Sequence, residues 1–169
     1  MALRKIVEIG DEKLRKICKP QEKFDRRLRV LLDDMAQTMY KANGVGLAAP
    51  QIGILRRVVV IDVGDGLIEL INPVITSFEG SQTGPEGCLS VPGRRGIVTR
   101  PDKLTVKAQD AEGNEFTFEA EEFFARAVCH ELDHLDGVLY VDKMDEEIFD
   151  DDDEYEEDYD EEEYEEDEE

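Results

Sequence analysis

The two histidines of this chain lie four residues apart, at His130 and His134, within the segment HELDH. Residues i and i+4 of an α-helix share one face, with Cβ atoms about 5–6 Å apart, so both rings can direct a nitrogen at one cation. Glu131 would project beside that cation, where its carboxylate could hold a water molecule. The spacing predicts a metal-dependent hydrolase site of the H-E-x-x-H kind. The alternative is a polar helix face that carries two histidines by chance.

The segment around the histidines has the hydrophobic period of a helix from 121 to 137. Its apolar residues recur at helical spacing, at Phe124, Val128, Leu132 and Leu135. Both histidines lie on the flank of this stripe, and Gly137 is placed to end the helix. The pattern therefore predicts that the histidines face the protein interior.

A catalytic metal site usually has three protein ligands, so the third must come from a cysteine or a carboxylate. Cys129 would point about 100° away from His130 and is expected to be a small buried hydrophobe. Cys18 lies in a charged, loop-like stretch and is expected to be an ordinary thiol. Cys88 lies among glycines and prolines in 84–93, where turns could present its thiolate to a metal. The residues alone leave open whether Cys88 is a ligand or a buried cysteine in a turn.

The glycine-containing segment GVGLAAPQ at 44–51 also matches the G-x-G-x-x-A pattern of dinucleotide-binding loops. That fingerprint follows a strand and opens a helix. Here an amphipathic helix comes first and a valine-rich strand follows at 58–61; the apolar stripe of that helix is Leu28, Leu31, Leu32, Met35 and Met39. A loop that lets a ligand approach the backbone closely fits better, with a plain connecting loop as the alternative.

Three segments together are similar to the signature motifs of the peptide deformylase family: GVGLAAPQ at 44–51, EGCLS at 86–90 and HELDH at 130–134. The resemblance runs from the N-terminal segment to about Asp142 and leaves out the acidic end. It implies that a metal is bound by Cys88, His130 and His134. It also implies catalytic roles in the cleft: Glu131 as general base and acid, Gln51 and the Leu89 N–H as oxyanion donors, and Gly46 as part of the lining.

The resemblance further implies that the chain removes the N-formyl group from the N-terminal methionine of newly synthesised proteins. Water bound to one divalent metal ion would attack the formyl carbonyl, and formate would be released. The implied ion is Fe²⁺, although thiolate and imidazole ligands also suit nickel, cobalt and zinc. Val45, Val128 and Cys129 are expected to form the wall of the methionine pocket. Arg95 is either a contact to the peptide backbone or an exposed cation.

Two other functions share part of this pattern. A metalloprotease with the same helix motif would cleave internal peptide bonds, but its third ligand is typically a His or Glu beyond the helix. A catalytically silent relative would act as a metal-holding or ribosome-associated binding module. The presence of all the expected catalytic residues argues against the silent relative.

The last 25 residues differ in composition from the rest of the chain. Residues 145–169 contain 20 acidic and no basic residues, which leaves a net charge of −3 of the total −23 on residues 1–144. Like charges at this density repel one another, so we expect a catalytic domain at 1–144 and a disordered acidic tail at 145–169. RNA phosphate would repel the tail, so no direct nucleic-acid binding is expected from it. It would either solubilise the enzyme or contact basic ribosomal proteins during transient ribosome association.

The order of the elements indicates an α+β fold. The sequence predicts a helix, a loop, strands across 56–76, a turn at Cys88, a hairpin at 103–119 and the metal helix. Antiparallel or mixed sheets would then wrap around the central metal-binding helix. The N-terminus lacks a signal-peptide core, and no apolar run approaches the ~18 residues of a membrane span. Three widely spaced cysteines suggest no disulfide framework, so the chain is expected to be cytoplasmic.

Overall fold

The computed structural model describes residues 2–149, which contain two α-helices and eight strands. The helices are α1 (Arg26–Lys41) and α2 (Glu122–Leu135). The strands are β1 (Gly46–Ala48), β2 (Val58–Ile61), β3 (Ile68–Glu79), β4 (Gln82–Cys88), β5 (Val91–Arg100), β6 (Lys103–Gln109), β7 (Glu115–Glu121) and β8 (Glu146–Ile148). One sheet has the order β1-β2-β3-β6-β7 and the other the order β4-β5-β8, and their ladders are antiparallel. The predicted α+β class is confirmed.

The valine run of β2 shows why the larger sheet lies between the two helices. All four side chains of β2 are fully buried, and successive side chains of a strand point to opposite faces. Val58 and Val60 pack in the core with α1, whereas Val59 and Ile61 pack in the core with α2. Because α2 also contacts β5, it lies between the two sheets, as the sequence predicted. No helix of residues 2–149 combines the length and apolarity that a bilayer span needs.

Helix α1 is a typical amphipathic helix and leads directly into the site. The Asp25 carboxylate caps it by accepting hydrogen bonds from the N–H groups of Arg27 and Leu28. Its predicted stripe faces the core, with Leu28, Leu32, Met35 and Met39 buried. The helix ends before Asn43, whose φ of +57° turns the chain into β1. The glycine-containing segment is therefore a helix-to-strand loop, as predicted.

The segment around Cys88 was predicted as a turn and is mostly a β-hairpin. Strands β4 and β5 pair from Gln82↔Arg100 to Gly87↔Arg95, and the turn is confined to Leu89 and Ser90. Glycine and proline are depleted in strands, so the sequence pattern of 84–93 did not predict strands β4 and β5. Pro85 is tolerated because β4 is an edge strand, where a missing N–H leaves no ladder bond unmade.

The folded domain extends beyond the predicted boundary at residue 144. Residues 146–148 form β8 and pair with β5, with Ile148 opposite Arg95. The Arg94 guanidinium donates to the Glu147 carboxylate at 2.7 Å, and the Asp145 N–H donates to the Ile97 carbonyl at 2.7 Å. The predicted boundary was wrong here because the acidic composition of residues 145–148 indicates disorder, although the free edge of β5 offers these residues a strand to pair with. The rest of the predicted tail, 150–169, lies outside the described residues.

Candidate metal centre

Helix α2 carries three of the predicted site residues on its buried side. His130, Glu131 and His134 have relative exposures of 9%, 4% and 1%. The predicted apolar stripe of α2 packs on the larger sheet and thereby sets the rotation of the helix about its axis. The chain leaves α2 at Gly137, whose φ is +74° and where a Cβ atom would lie 2.5 Å from the Arg15 carbonyl oxygen. The inward orientation of both histidines is confirmed.

The β4–β5 hairpin brings Cys88 to these histidines. Its Sγ lies 3.4 Å from Nε2 of His134, and the ligand atoms of Cys88, His130 and His134 all lie within 4.8 Å of one another. Metal bonds of about 2.0–2.3 Å in a tetrahedral site put ligand atoms roughly 3.3–3.6 Å apart. Burial also lowers the pKa of His134 well below its ordinary value, which favours the neutral ring that binds metals. The three donors therefore fit one divalent ion of the borderline or soft kind.

Glu86 orients His130 from behind. Nδ1 of His130 lies 2.8 Å from Oε1 of Glu86, which leaves Nε2 of the ring on the side of Cys88. The buried Glu86 carboxylate also accepts two hydrogen bonds of 2.9 Å from Arg100 and one of 2.6 Å from Arg126. Burial opposes ionisation of Glu86, but the hydrogen bonds from Arg100 and His130 lower its pKa to about 2. Glu86 is thus a negative acceptor that holds the ring in one orientation.

Sequence reasoning missed this charge network of Glu86, Arg100 and Arg126, which Asp133 extends through a 2.6 Å hydrogen bond from Arg100. One signal was available, since Arg126 lies four residues before His130 and so shares its inward helix face. A charged side chain on a buried face needs a partner of opposite charge. Identifying that partner required the fold, because Glu86 lies 40 residues away.

Gln51 reaches the same place from the other side of the site. Its Oε1 accepts a hydrogen bond of 2.9 Å from the Ala48 N–H, so the amide is held with Nε2 facing the hairpin. Nε2 donates to Oγ of Ser90 at 3.1 Å and lies 3.5 Å from Sγ of Cys88. Ser90 was not predicted as a site residue and is fully buried. The structure therefore brings Gln51 beside the predicted metal ligand, together with Leu89 at the hairpin turn.

The carboxylate of Glu131 is packed against the glycine-containing loop. A Cβ atom on Gly46 would lie 2.5 Å from Oε1 of Glu131, so only glycine leaves room for this carboxylate. Burial raises the pKa of Glu131 to about 7. Its Oε2 has no hydrogen-bond partner among the described residues. A buried carboxylate with an unused oxygen and this pKa can accept and return a proton near neutral pH.

A cavity of about 350 Å³ opens in front of these groups. The glycine-containing loop, β4 and one face of α2 line it; the residues are Asn43, Gly44, Val45, Gly46, Gln51, Pro85, Glu86, Gly87, Cys88, Leu89, Phe123, Arg126, Ala127, His130 and Glu131. The predicted Val45 and Gly46 are therefore on its wall.

Two residues predicted for the pocket wall, Val128 and Cys129, lie elsewhere. Both belong to the core between α2 and the larger sheet, and Val128 is fully buried there. Helix periodicity explains the correction, because the face that bears His130 also bears Phe123, Arg126 and Ala127, whereas Val128 lies on the sheet side. Arg95 does not line the cavity. It is an exposed residue of β5 that packs beside Gly87.

Known proteins share both the sequence and this fold. The polypeptide deformylase family model matches residues 3–148. A peptide deformylase of Caldicellulosiruptor bescii is 65% identical over 144 residues, which cover 85% of this chain and 87% of that protein. One from Acetivibrio thermocellus is 60% identical over 144 residues, with 85% of each chain covered.

A solved structure gives the same result for the fold. The crystal structure of peptide deformylase from Thermotoga maritima has a TM-score of 0.84 and 41% identity to this chain, and the match covers 85% of this chain and 99% of that one. The family model spans all three predicted motifs and the strand β8. This chain therefore belongs to the polypeptide deformylase family of enzymes.

Proposed function

We propose that this chain removes the N-formyl group from the N-terminal methionine of newly synthesised proteins and releases formate. The observation that carries the proposal is that the Cys88, His130 and His134 donors lie together, and that Cys88, His130 and the buried Glu131 line the same cavity. The relatives named above, which are called peptide deformylases, support the same substrate class.

Cys88, His130 and His134 would hold one divalent metal ion. When bound, such an ion polarises a carbonyl oxygen and lowers the pKa of a coordinated water. Glu131 takes a proton from the attacking water and returns it to the amine nitrogen as the formyl C–N bond breaks. The absence of a side chain at Gly46 leaves space for the Glu131 carboxylate, which can therefore lie beside the metal ligands and transfer these protons.

The negative charge that develops on the formyl oxygen needs donors that are already in place. Gln51 Nε2 is suited to this role, since the Ala48 N–H holds its amide in one orientation. The backbone N–H of Leu89, directly after Cys88, would be the second donor. A preorganised donor of this kind typically contributes about 2.7–4 kcal/mol to lowering the barrier.

The apolar part of the cavity is where we propose that the methionine side chain binds. Val45 contributes from the loop, Leu89 from the hairpin, and Phe123 and Ala127 from α2. The guanidinium of Arg126 is neutralised by Glu86, which lets the rest of the Arg126 side chain complete the wall. An uncharged, apolar side chain fits a surface of this composition.

We propose Fe²⁺ as the ion, with nickel, cobalt or zinc as possible substitutes, because one thiolate and two imidazoles suit all four. A half-buried thiolate ligand is still open to oxidation and needs a reducing compartment, which supports a cytoplasmic location. The substrate class also supports transient association with ribosomes, where formylated chains emerge.

The experiment that tests this function measures formate released from a formyl-Met peptide by anaerobically prepared, iron-loaded protein. We expect formate release by the natural chain and its loss in Glu131→Gln, which keeps the volume of the side chain but removes the base. Metal content of the two proteins, measured by elemental analysis, should be equal. Internal fragments of an unformylated peptide would point to a protease, and neither product from metal-loaded protein would point to a binding module.

A further inference from the structure

Five exposed cations on neighbouring segments, none of which lines the cavity, are here called the basic face: Lys13, Lys19, Lys23, Arg27 and Arg56. The chain segments that carry them are adjacent. Lys19 pairs with Arg56 through an isolated β-bridge, and the Lys13 Nζ reaches over Gly53, three residues before Arg56. Lys23, Arg27 and Arg56 line one shallow concavity.

The basic face is not neutralised by the part of the chain that the structure describes. None of its five side chains forms an ion pair with a carboxylate within residues 2–149, whereas Arg29 pairs with Asp33 and Glu69, and Lys107 with Glu115. Two carboxylates, Glu22 and Asp25, line its concavity, and Asp11 and Glu12 directly precede Lys13 in the chain, so five cations stand against four carboxylates. The face therefore keeps an excess of positive charge on a chain whose net charge is −23.

The segment 150–169 has the complementary charge and lies within reach. It contains 17 acidic residues and no basic ones. It continues from β8, whose Ile148 lies opposite Arg95 of β5. At the start of β5, the Ser90 carbonyl accepts a hydrogen bond of 2.7 Å from the Ile9 N–H, and Lys13 follows four residues later.

Covalent geometry permits this segment to cover the basic face. Twenty residues span at most about 70 Å when extended. A folded domain of this size has a radius of gyration of about 15 Å, so the whole surface is accessible to the segment. Attraction between the two charge sets favours the basic face over the rest of a mildly acidic surface.

We propose that the acidic segment 150–169 docks on the basic face of its own chain and shields it from other polyanions. The contact is electrostatic and involves exposed side chains, so it depends on salt. The Debye length falls from about 10 Å at 0.1 M salt to about 3 Å at 1 M, and the contact is lost at the higher concentration.

Zero-length carbodiimide cross-linking of the full chain, mapped by mass spectrometry, tests the contact. We expect the carboxylates of 150–169 to cross-link to Lys13, Lys19 and Lys23 at low salt, with loss of these products at 1 M salt. Lys41 and Lys107 are exposed lysines outside the basic face and act as internal controls. Cross-links spread evenly over the controls and the basic face would overturn the proposal.

Retention on heparin gives a second readout with full-length variants. Replacing the carboxylates of 150–169 by amides should increase retention, because the basic face becomes available to the heparin polyanion. Adding Lys13→Glu, Lys19→Glu and Arg56→Glu should abolish that gain, while formate release stays unchanged in every variant. A gain that survives the charge reversal, or retention of the unaltered chain equal to that of the amide variant, would contradict docking on this face.

Discussion

Nδ1 of His130 lies 2.8 Å from Oε1 of Glu86, and Nε2 of the same ring is thereby left on the side of Cys88. The imidazole orientation thus depends on a carboxylate that two arginines hold in place. Partners of this kind typically change metal affinity by about 10–100-fold when they are removed.

Glu86→Gln should therefore weaken metal binding by about 10–100-fold. It should also lower the free energy of unfolding by about 3–5 kcal/mol, because Arg100 and Arg126 lose their buried counter-charge. Cobalt titration measures the affinity and urea unfolding the stability. Asp133→Asn is the control, since Asp133 contacts Arg100 but not His130; an equal loss of cobalt affinity there would show that Glu86 acts only through stability.

Gly46→Ala should inactivate the enzyme without emptying the metal site. The new Cβ atom would lie 2.5 Å from Oε1 of Glu131 and displace that carboxylate. Because a positioned general base contributes about 10²–10⁴-fold, kcat for formate release should fall within that range. Gly84→Ala is the control, because its Cβ would lie 3.4 Å from the end of the Arg126 side chain, an ordinary contact distance, and this variant should retain activity. Metal content should be unchanged in both variants, and unchanged kcat in Gly46→Ala would refute the steric argument.

Phe123→Ala and Val128→Ala should separate the cavity wall from the core. Phe123 lines the cavity and is 53% exposed, so its truncation should raise KM for formyl-Met peptides with little change in stability. Val128 is fully buried, so its truncation should cost about 2 kcal/mol of unfolding free energy, as loss of buried methyl groups does. Steady-state kinetics and urea unfolding check the two effects. A raised KM for Val128→Ala without loss of stability would instead indicate that Val128 is part of the pocket wall.

The three cysteines should differ in reactivity once the metal is removed. Burial raises the pKa values of Cys18 and Cys129 to about 11, so few of these thiols are ionised at pH 8. Cys88 is only half-buried. Iodoacetamide should therefore alkylate Cys88 first in chelator-treated protein, and added zinc should protect it. Peptide mapping gives the order; faster labelling of Cys18 or Cys129, or no protection by zinc, would contradict the assignment.

Asp34 should contribute to stability at neutral pH but not in acid. Hydrogen bonds from the Ala2 N–H and the Arg4 guanidinium lower the pKa of the buried Asp34 carboxyl. A lowered pKa in the folded state means that the contribution is present above the ordinary value of 3.8 and is lost as pH falls below it. Asp34→Asn should cost about 1.5–3 kcal/mol at pH 7, the range for hydrogen bonds to a charged group, and less at pH 3.

Urea unfolding at the two pH values measures this difference. Asp33→Asn is a neighbouring control, because Asp33 forms an exposed ion pair with Arg29 and should cost less than about 1 kcal/mol. A cost for Asp34→Asn that stays constant between pH 7 and pH 3 would show that ionisation of Asp34 does not matter.

Local sequence patterns were sufficient to predict the elements that depend on nearby residues. The period of α2, the spacing of His130 and His134 and the valine run of β2 depend on neighbours within a few residues, and the structure agrees with all three. Composition gave wrong predictions for two strands, because in each case a contact with another part of the fold overrides the local preference. Pro85 lies in a strand because that strand is an edge, and the acidic residues 146–148 form a strand because β5 offers a partner.

Contacts between side chains that are distant in sequence depend on the tertiary fold and could not be predicted from local patterns. Glu86 and His130 are 44 residues apart, and Gly46 lies against Glu131 across the cavity. Phe123 lies on the cavity wall and Val128 in the core because the packing of α2 on the sheet turns the Phe123 face of the helix towards the cavity. Sequence spacing specifies which residues share a helix face, whereas the direction of that face depends on free energy gained by burying the other side.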